Sequence, residues 1–123
     1  MMLLFAAGLA AGAILLAGLV WYLASRPPDL GGTWDLPNGS YWIVEQTGRD
    51  LTIQEVHHES REVWKKGRGS IDGDRVDFKL DLVFERGTFT EGQLRVYEGG
   101  RRLSGMALTR PRDIRDEVTL RKR

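Results

Sequence analysis

Cysteine is absent from this chain of 123 residues. Its absence excludes disulfides, thiol nucleophiles, thiolate metal sites and a lipid-modified cysteine anchor. It leaves the compartment open, because a chain without disulfides suits either side of a membrane. Histidine is scarce, with two residues, and the formal net charge is only +1. No global basic field therefore points to nucleic acid as a partner. The sharpest absence is local. Residues 1–24 contain no Lys, Arg, Asp, Glu, His, Asn, Gln or Pro, so all 18 Lys+Arg and all 17 Asp+Glu lie beyond Ser25.

An uncharged run of that length has one obvious use. A helix rises about 1.5 Å per residue, so about 20 apolar residues cross the ~30 Å hydrocarbon core of a bilayer. Residues 1–25 are expected to form a single transmembrane helix. A cleaved signal peptide is the rival reading. It asks for a basic leading segment, an apolar core of about 7–15 residues and a small-x-small cleavage site. Here the run is too long, nothing basic precedes it, and Val20-Trp21-Tyr22-Leu23-Ala24-Ser25 places Tyr22 or Leu23 where a small residue is needed. A retained anchor is expected.

Small residues recur along this segment. Gly8 and Gly12 form a GxxxG pair, and Ala6, Ala10, Ala13 and Ala17 make a stripe at helical spacing. Close packing over small residues is what joins helices in lipid, where no hydrophobic drive brings them together. These six are the expected helix-packing positions. Trp21 and Tyr22 sit where an interfacial aromatic anchor belongs, with Arg26 just outside. Arg26, with Arg49 further along, tips the orientation towards N-terminus out and the remaining domain in the cytoplasm, with a periplasmic domain as the alternative. The expected location is a membrane of the bacterial inner-membrane type.

Residues 26–32 read as a short linker. Pro27-Pro28 ends the helix, and Gly31-Gly32 permits a sharp entry into the first strand. From Thr33 onwards apolar and polar residues alternate, and turn residues interrupt every ten residues or so. Strands are expected near 33–36, 40–46, 51–58, 61–70, 75–84, 88–97, 101–109 and 114–121. Between them stand Pro37-Asn38-Gly39, Thr47-Gly48-Arg49-Asp50, Asp72-Gly73-Asp74, Arg86-Gly87, Glu98-Gly99-Gly100 and Pro111-Arg112-Asp113. Only His57 to Ser60 is weakly marked as a turn. The connections are too short for parallel crossovers, so the fold class is all-β: an antiparallel eight-stranded meander, closed or nearly closed into a small barrel. The domain would span residues 33–123 and end in a basic tail.

The expected inward set is Trp34, Leu36, Trp42, Val44, Leu51, Ile53, Val63, Ile71, Val76, Phe78, Leu80, Leu82, Leu94, Val96, Met106, Leu108, Val118 and Leu120. Strand 40–46 is apolar on both faces, which marks Tyr41 and Ile43 as contacts for a loop, the headgroups or a partner. In residues 110–123, Arg110, Arg112, Arg115, Arg121, Lys122 and Arg123 outnumber Asp113, Asp116 and Glu117. Arg110, Arg112, Arg115 and Lys122 are therefore candidate contacts for anionic lipid headgroups or a protein partner.

Gly32-Thr33-Trp34 opening the first strand, with a β meander after it, resembles the lipocalin-like (calycin) barrels. The resemblance implies a Trp that plugs the closed end against a basic residue of the last strand. Carried over, Trp34 is the plug and Arg121 its partner. The Thr-Asp-Tyr signature of lipocalins is absent, and the chain is shorter than a ligand-carrying lipocalin.

Catalytic chemistry is not signalled. His57-His58-Glu59 would be a metal cluster only if neighbouring strand residues shared a face, which they do not. Asp72, Asp74 and Asp77 lack EF-hand spacing, and no serine sits in a nucleophile motif. No cofactor, no metal and no enzymatic activity are expected. The leading expectation is a single-span accessory subunit of a respiratory, photosynthetic or transport complex, its partners being other transmembrane subunits, with no small ligand expected. The alternative is a membrane-tethered, lipocalin-like binder of a small apolar ligand. A filled interior favours the first and a cavity favours the second.

Overall fold

The computed structural model describes residues 26–123. The expected transmembrane helix lies outside the described residues. Among the described residues no helix is long and apolar enough to cross a membrane.

Eight strands succeed one another: β1 (Gly32–Asp35), β2 (Tyr41–Thr47), β3 (Asp50–Val56), β4 (Val63–Asp72), β5 (Arg75–Leu82), β6 (Phe89–Tyr97), β7 (Arg102–Arg110) and β8 (Ile114–Lys122). Each pairs antiparallel with the next, and β1 closes on β8 to complete a barrel. Turn chemistry sets the phase of this meander. Gly48 and Gly73, at φ +62° and +61°, each take the first central position of a two-residue hairpin turn. That geometry suits the right-handed twist of the flanking strands, and a Cβ there would be strained.

Closure leaves one face of every strand inside. On β5 the inner residues Val76, Phe78 and Leu80 are 1–5% exposed, and the alternating Lys79 and Asp81 are wetted. Burying such a set stabilises by roughly 1.5–3 kcal/mol per large side chain. Two inward glycines let the wall curve tightly. A Cβ on Gly67 would collide with the carbonyl oxygen of Lys79, and one on Gly105 with that of Gln93. Glycine at such corners is what allows neighbouring backbones to approach.

The phase of β7 differs from expectation. Met106 is 50% exposed and Leu108 only half-buried, and the core is served instead by Leu103 and Ala107, at 2% and 5%. Both phases of Leu103-Ser104-Gly105-Met106-Ala107-Leu108 look apolar. The ladder decides between them, because Leu103 stands opposite both Val96 and Leu120. Nor do the last fourteen residues form a tail. They are the end of β7, the β7–β8 turn and β8 with Arg123 after it, an arrangement that puts Arg110, Arg112 and Arg115 at one end of the barrel and Arg121, Lys122 and Arg123 at the other.

Candidate functional site: a plugged floor and an open cup

The two ends of the barrel are built differently. At the end where β1 begins, Pro28–Gly31 is folded across the opening and is no free linker. Leu30 is 1% exposed, its amide donates to Gln46 Oε1 at 2.7 Å, and its carbonyl accepts from Trp34 Nε1 at 2.8 Å. Gln46 also donates to the carbonyls of Pro28 and Gly48. One amide side chain thus ties the strap to the floor. Trp34 itself is fully buried.

The basic residue above this indole is Lys122, whose Nζ lies 5.8 Å from the Trp34 ring centre and donates to the Asp29 carbonyl at 3.2 Å. The lipocalin resemblance names Arg121 for this place, and the structure corrects it. Arg121 points outwards to Glu98, 3.4 Å away, because Leu120 is buried inside and alternation turns its neighbour out. Arg123 extends the short β1–β8 seam on the outside. Its amide donates to the Thr33 carbonyl, and its guanidinium grips Asp35 at 2.7 Å. The hydrogen bond to Asp35 raises the arginine's pKa above its ordinary value. The same guanidinium covers the ring of Tyr41 at 4.9 Å, so that aromatic rests on the chain's own last residue.

Among the described residues the opposite end has no such strap and is indented, although the residues at the base of the hollow, Trp42, Phe78, Leu80 and Ala107, are themselves buried. A cup of about 260 Å³ opens there, walled by Leu36, Trp42, Phe78, Leu80, Ala107 and Val118. Trp42 and Phe78 meet edge to face, 5.1 Å apart, and form its aromatic side. Polar groups stand among them. Thr90 and Thr109 hydrogen-bond each other at 3.0 Å, and Asn38 and Asp116 stand at the rim.

The most unusual pair in the cup is Glu55 and Lys65, opposite each other on β3 and β4. Glu55 is 6% exposed and accepts from Trp42 Nε1 at 2.8 Å; its other oxygen lies 4.0 Å from Lys65 Nζ. Neither residue stands out in the sequence, since charged strand residues are usually solvated. A signal is nonetheless there: counting back from the Gly48–Arg49 turn puts Glu55 directly opposite Trp42. Between Glu55 and Val56 the ladder slips by one residue, leaving Trp64 without a partner on β3 between Val63 and Lys65. Such a bulge re-aims side chains. Here it brings the Trp64 indole to the cup wall beside Lys65, whose ammonium sits 4.4 Å from the ring centre. The Trp64 N–H is buried and finds no acceptor among the described residues.

His57 and His58 fall beyond the end of β3, in a turn, so strand alternation does not separate them. Their rings stack at 4.5 Å. Each is held by its own neighbours: His57 Nδ1 accepts from the Glu59 amide, and His58 sits against Ser40 Oγ, joining two loops of the mouth.

The remaining expected positions are dispersed. Gly8, Gly12, Ala6, Ala10, Ala13, Ala17, Trp21 and Tyr22 lie outside the described residues, and Arg26 is exposed. Ile43 is 36% exposed on the outer wall. Arg110 is engaged by Glu91 and Asp113, and Arg112 approaches Glu85 at 3.9 Å. Arg115 flanks a shallow hollow on the outer wall beside Met106 and Leu108. Comparison of the chain with protein-family models, with curated proteins and with solved structures finds no match.

Proposed function

We propose that this chain is a non-catalytic, membrane-tethered barrel of the lipocalin-like (calycin) kind, which takes up a small and mainly apolar molecule through its open mouth. The observation that carries this reading is the cup of about 260 Å³ inside an otherwise packed barrel. A cavity of about 150 Å³ lined by apolar side chains is enough to hold benzene. The accessory-subunit expectation is tied to a filled interior, and the cup moves the balance towards binding.

The tether follows from the uncharged run of residues 1–24. Gln46 holds Pro28 to the barrel floor, so residues 26 and 27 join an anchor of residues 1–25 to the domain. Two residues reach at most about 7 Å. The plugged floor therefore faces the bilayer and the mouth faces away from it, open to the aqueous phase. The basic residues Arg110 and Arg112 are then on the far side from the headgroups, and Lys122 is on the near side.

Full-length protein in detergent, titrated with toluene, tests the reading through quenching of tryptophan fluorescence. Saturable binding is expected, and Ala107→Leu, which adds three carbons to the cup wall, should abolish it while far-ultraviolet circular dichroism stays unchanged. Uptake that never saturates, or that is the same in the variant, would sink the idea.

A specific observation favours a second reading, in which the domain braces a neighbouring subunit. Phe84 is 74% exposed and Val83 42% in the loop joining β5 to β6, with Ile114 at 47% by the same mouth. Such residues suit a protein contact. Gly12→Leu should then release the chain from co-purifying membrane proteins; unaltered recovery would count against it.

A further inference from the structure

We infer that the molecule held in the cup is uncharged and presents a hydrogen-bond acceptor beside a donor, the edge of a primary amide or a lactam, on a flat body of one or two rings. This rests on the binding reading above and names its ligand class.

Glu55 and Lys65 are incompletely paired. Their side chains are only 7% and 15% exposed, yet the nearest approach of ammonium and carboxyl oxygen is 4.0 Å. Hydrogen bonds between such groups run about 2.7–3.2 Å. Neither group satisfies the other. Glu55 Oε1 is taken by the Trp42 indole, which leaves Oε2 with an open acceptor site. The Lys65 ammonium has three donors, and besides Glu55 at 4.0 Å its described company is the face of Trp64, 4.4 Å from the ring centre. Neither Glu55 Oε2 nor Lys65 Nζ is among the fully buried orphans, so each still has an open side towards the cup, where a ligand edge can replace solvent. A donor and an acceptor a few ångströms apart, facing the same cup, are matched by an acceptor and a donor on one edge of a ligand.

Charge selects further. The cup carries formal negative charges at Glu55 and Asp116 and a formal positive charge at Lys65. Asp116 is exposed at the rim, and deeper in the cup Glu55 and Lys65 offset each other, so an anion or a cation placed beside that pair adds a charge nothing there balances. An excess charge in a half-buried site is expensive unless it is paired. A neutral dipolar edge satisfies both Lys65 and Glu55 without adding charge. The walls fix the rest. Trp42 and Phe78 offer aromatic surfaces, which favour a ring stacked or set edge-on against them. The volume is less than twice the ~150 Å³ that accommodates benzene, so two fused rings are the upper limit.

Four probes with one common body separate the possibilities: benzamide, benzoate, benzylamine and toluene, each titrated into the full-length protein in detergent at neutral pH. Ligand-observed NMR is the readout, with Ala107→Leu as the blank for partition into micelles. Benzamide should bind about tenfold tighter than each of the other three, the margin of one well-placed hydrogen bond. In the double variant Glu55→Gln/Lys65→Met, which removes both charges together, that margin should shrink to within about threefold of toluene. Benzoate or benzylamine binding as tightly as benzamide would overturn the inference and leave the binding reading standing. So would toluene matching benzamide, or the margin surviving in the double variant. If none of the four binds saturably, the binding reading falls and takes the inference with it.

Discussion

The floor and the mouth of this barrel are made from the same eight strands and the same alternating pattern, yet one is sealed and the other is not. At the floor the groups that hold the strap are engaged by the chain itself, and the one buried orphan of that end among the described residues, Arg102 Nε, belongs to β7, outside the strap. Gln46 bonds the strap, Trp34 bonds Leu30 and Lys122 bonds Asp29. At the mouth, Trp64 has a donor with no partner among the described residues, and Glu55 and Lys65 stand just too far apart to complete each other. Groups bonded across the strap build a plug, whereas a loosely paired donor and acceptor that both face a cup leave room for a further partner. On the proposed binding reading, the mouth is the receptive end and the floor the structural one.

The contrast can be broken most severely at Trp34. Trp34→Ala should cost about 3–5 kcal/mol, as for other large-to-small changes at fully buried aromatic sites. Denaturant unfolding followed by circular dichroism measures it, and a curve that hardly moves would mean the floor is not a plug. Gly105→Ala comes next. With a Cβ forced against the Gln93 carbonyl, the wall must open, at about 1–3 kcal/mol by the same unfolding measurement. Gln46→Ala should remove about 1–3 kcal/mol by leaving the Leu30 amide and the Pro28 carbonyl unpartnered, and faster hydrogen exchange at Leu30 would report the strap's release. Trp64→Phe is the mirror test at the mouth. It deletes a buried orphan donor, so the melting curve should shift by the equivalent of less than about 1 kcal/mol in either direction. The smallest effect is expected from Phe84→Ser, within about 0.5 kcal/mol on the same curve, because the ring is exposed.

Legibility in the sequence divides between the two ends in the same way. The meander is readable because every turn but the weakly marked His57 to Ser60 carries strong chemistry, and each strand begins within two residues of its expected place. Closure into a barrel follows from that regularity. The plug at Trp34 is visible through Gly32-Thr33-Trp34, but the resemblance sets its basic neighbour one position too early. Alternation from buried Leu120 identifies Lys122 instead. Leu30 gives no sign of its role because it precedes the first strand, and only the hydrogen bonds of Gln46, sixteen residues away in sequence, fold it over the floor. Met106 and Ala107 cannot be told apart from within β7. The choice rests on the neighbouring strands, where Val96 and Leu120 face Leu103.

The cup is the least legible part. Its charged pair looks like ordinary strand surface until the hairpin register puts Glu55 opposite Trp42, and the bulge that brings in Trp64 has no local sequence mark.

The most direct test of a receptive mouth above a sealed floor is a crystal of the protein exposed to iodobenzene, with the iodine located by its anomalous scattering. One strong iodine site is predicted inside the barrel, between Trp42, Phe78 and Leu80. Iodine bound only on the outer wall beside Met106 and Leu108, with the interior empty, would contradict it.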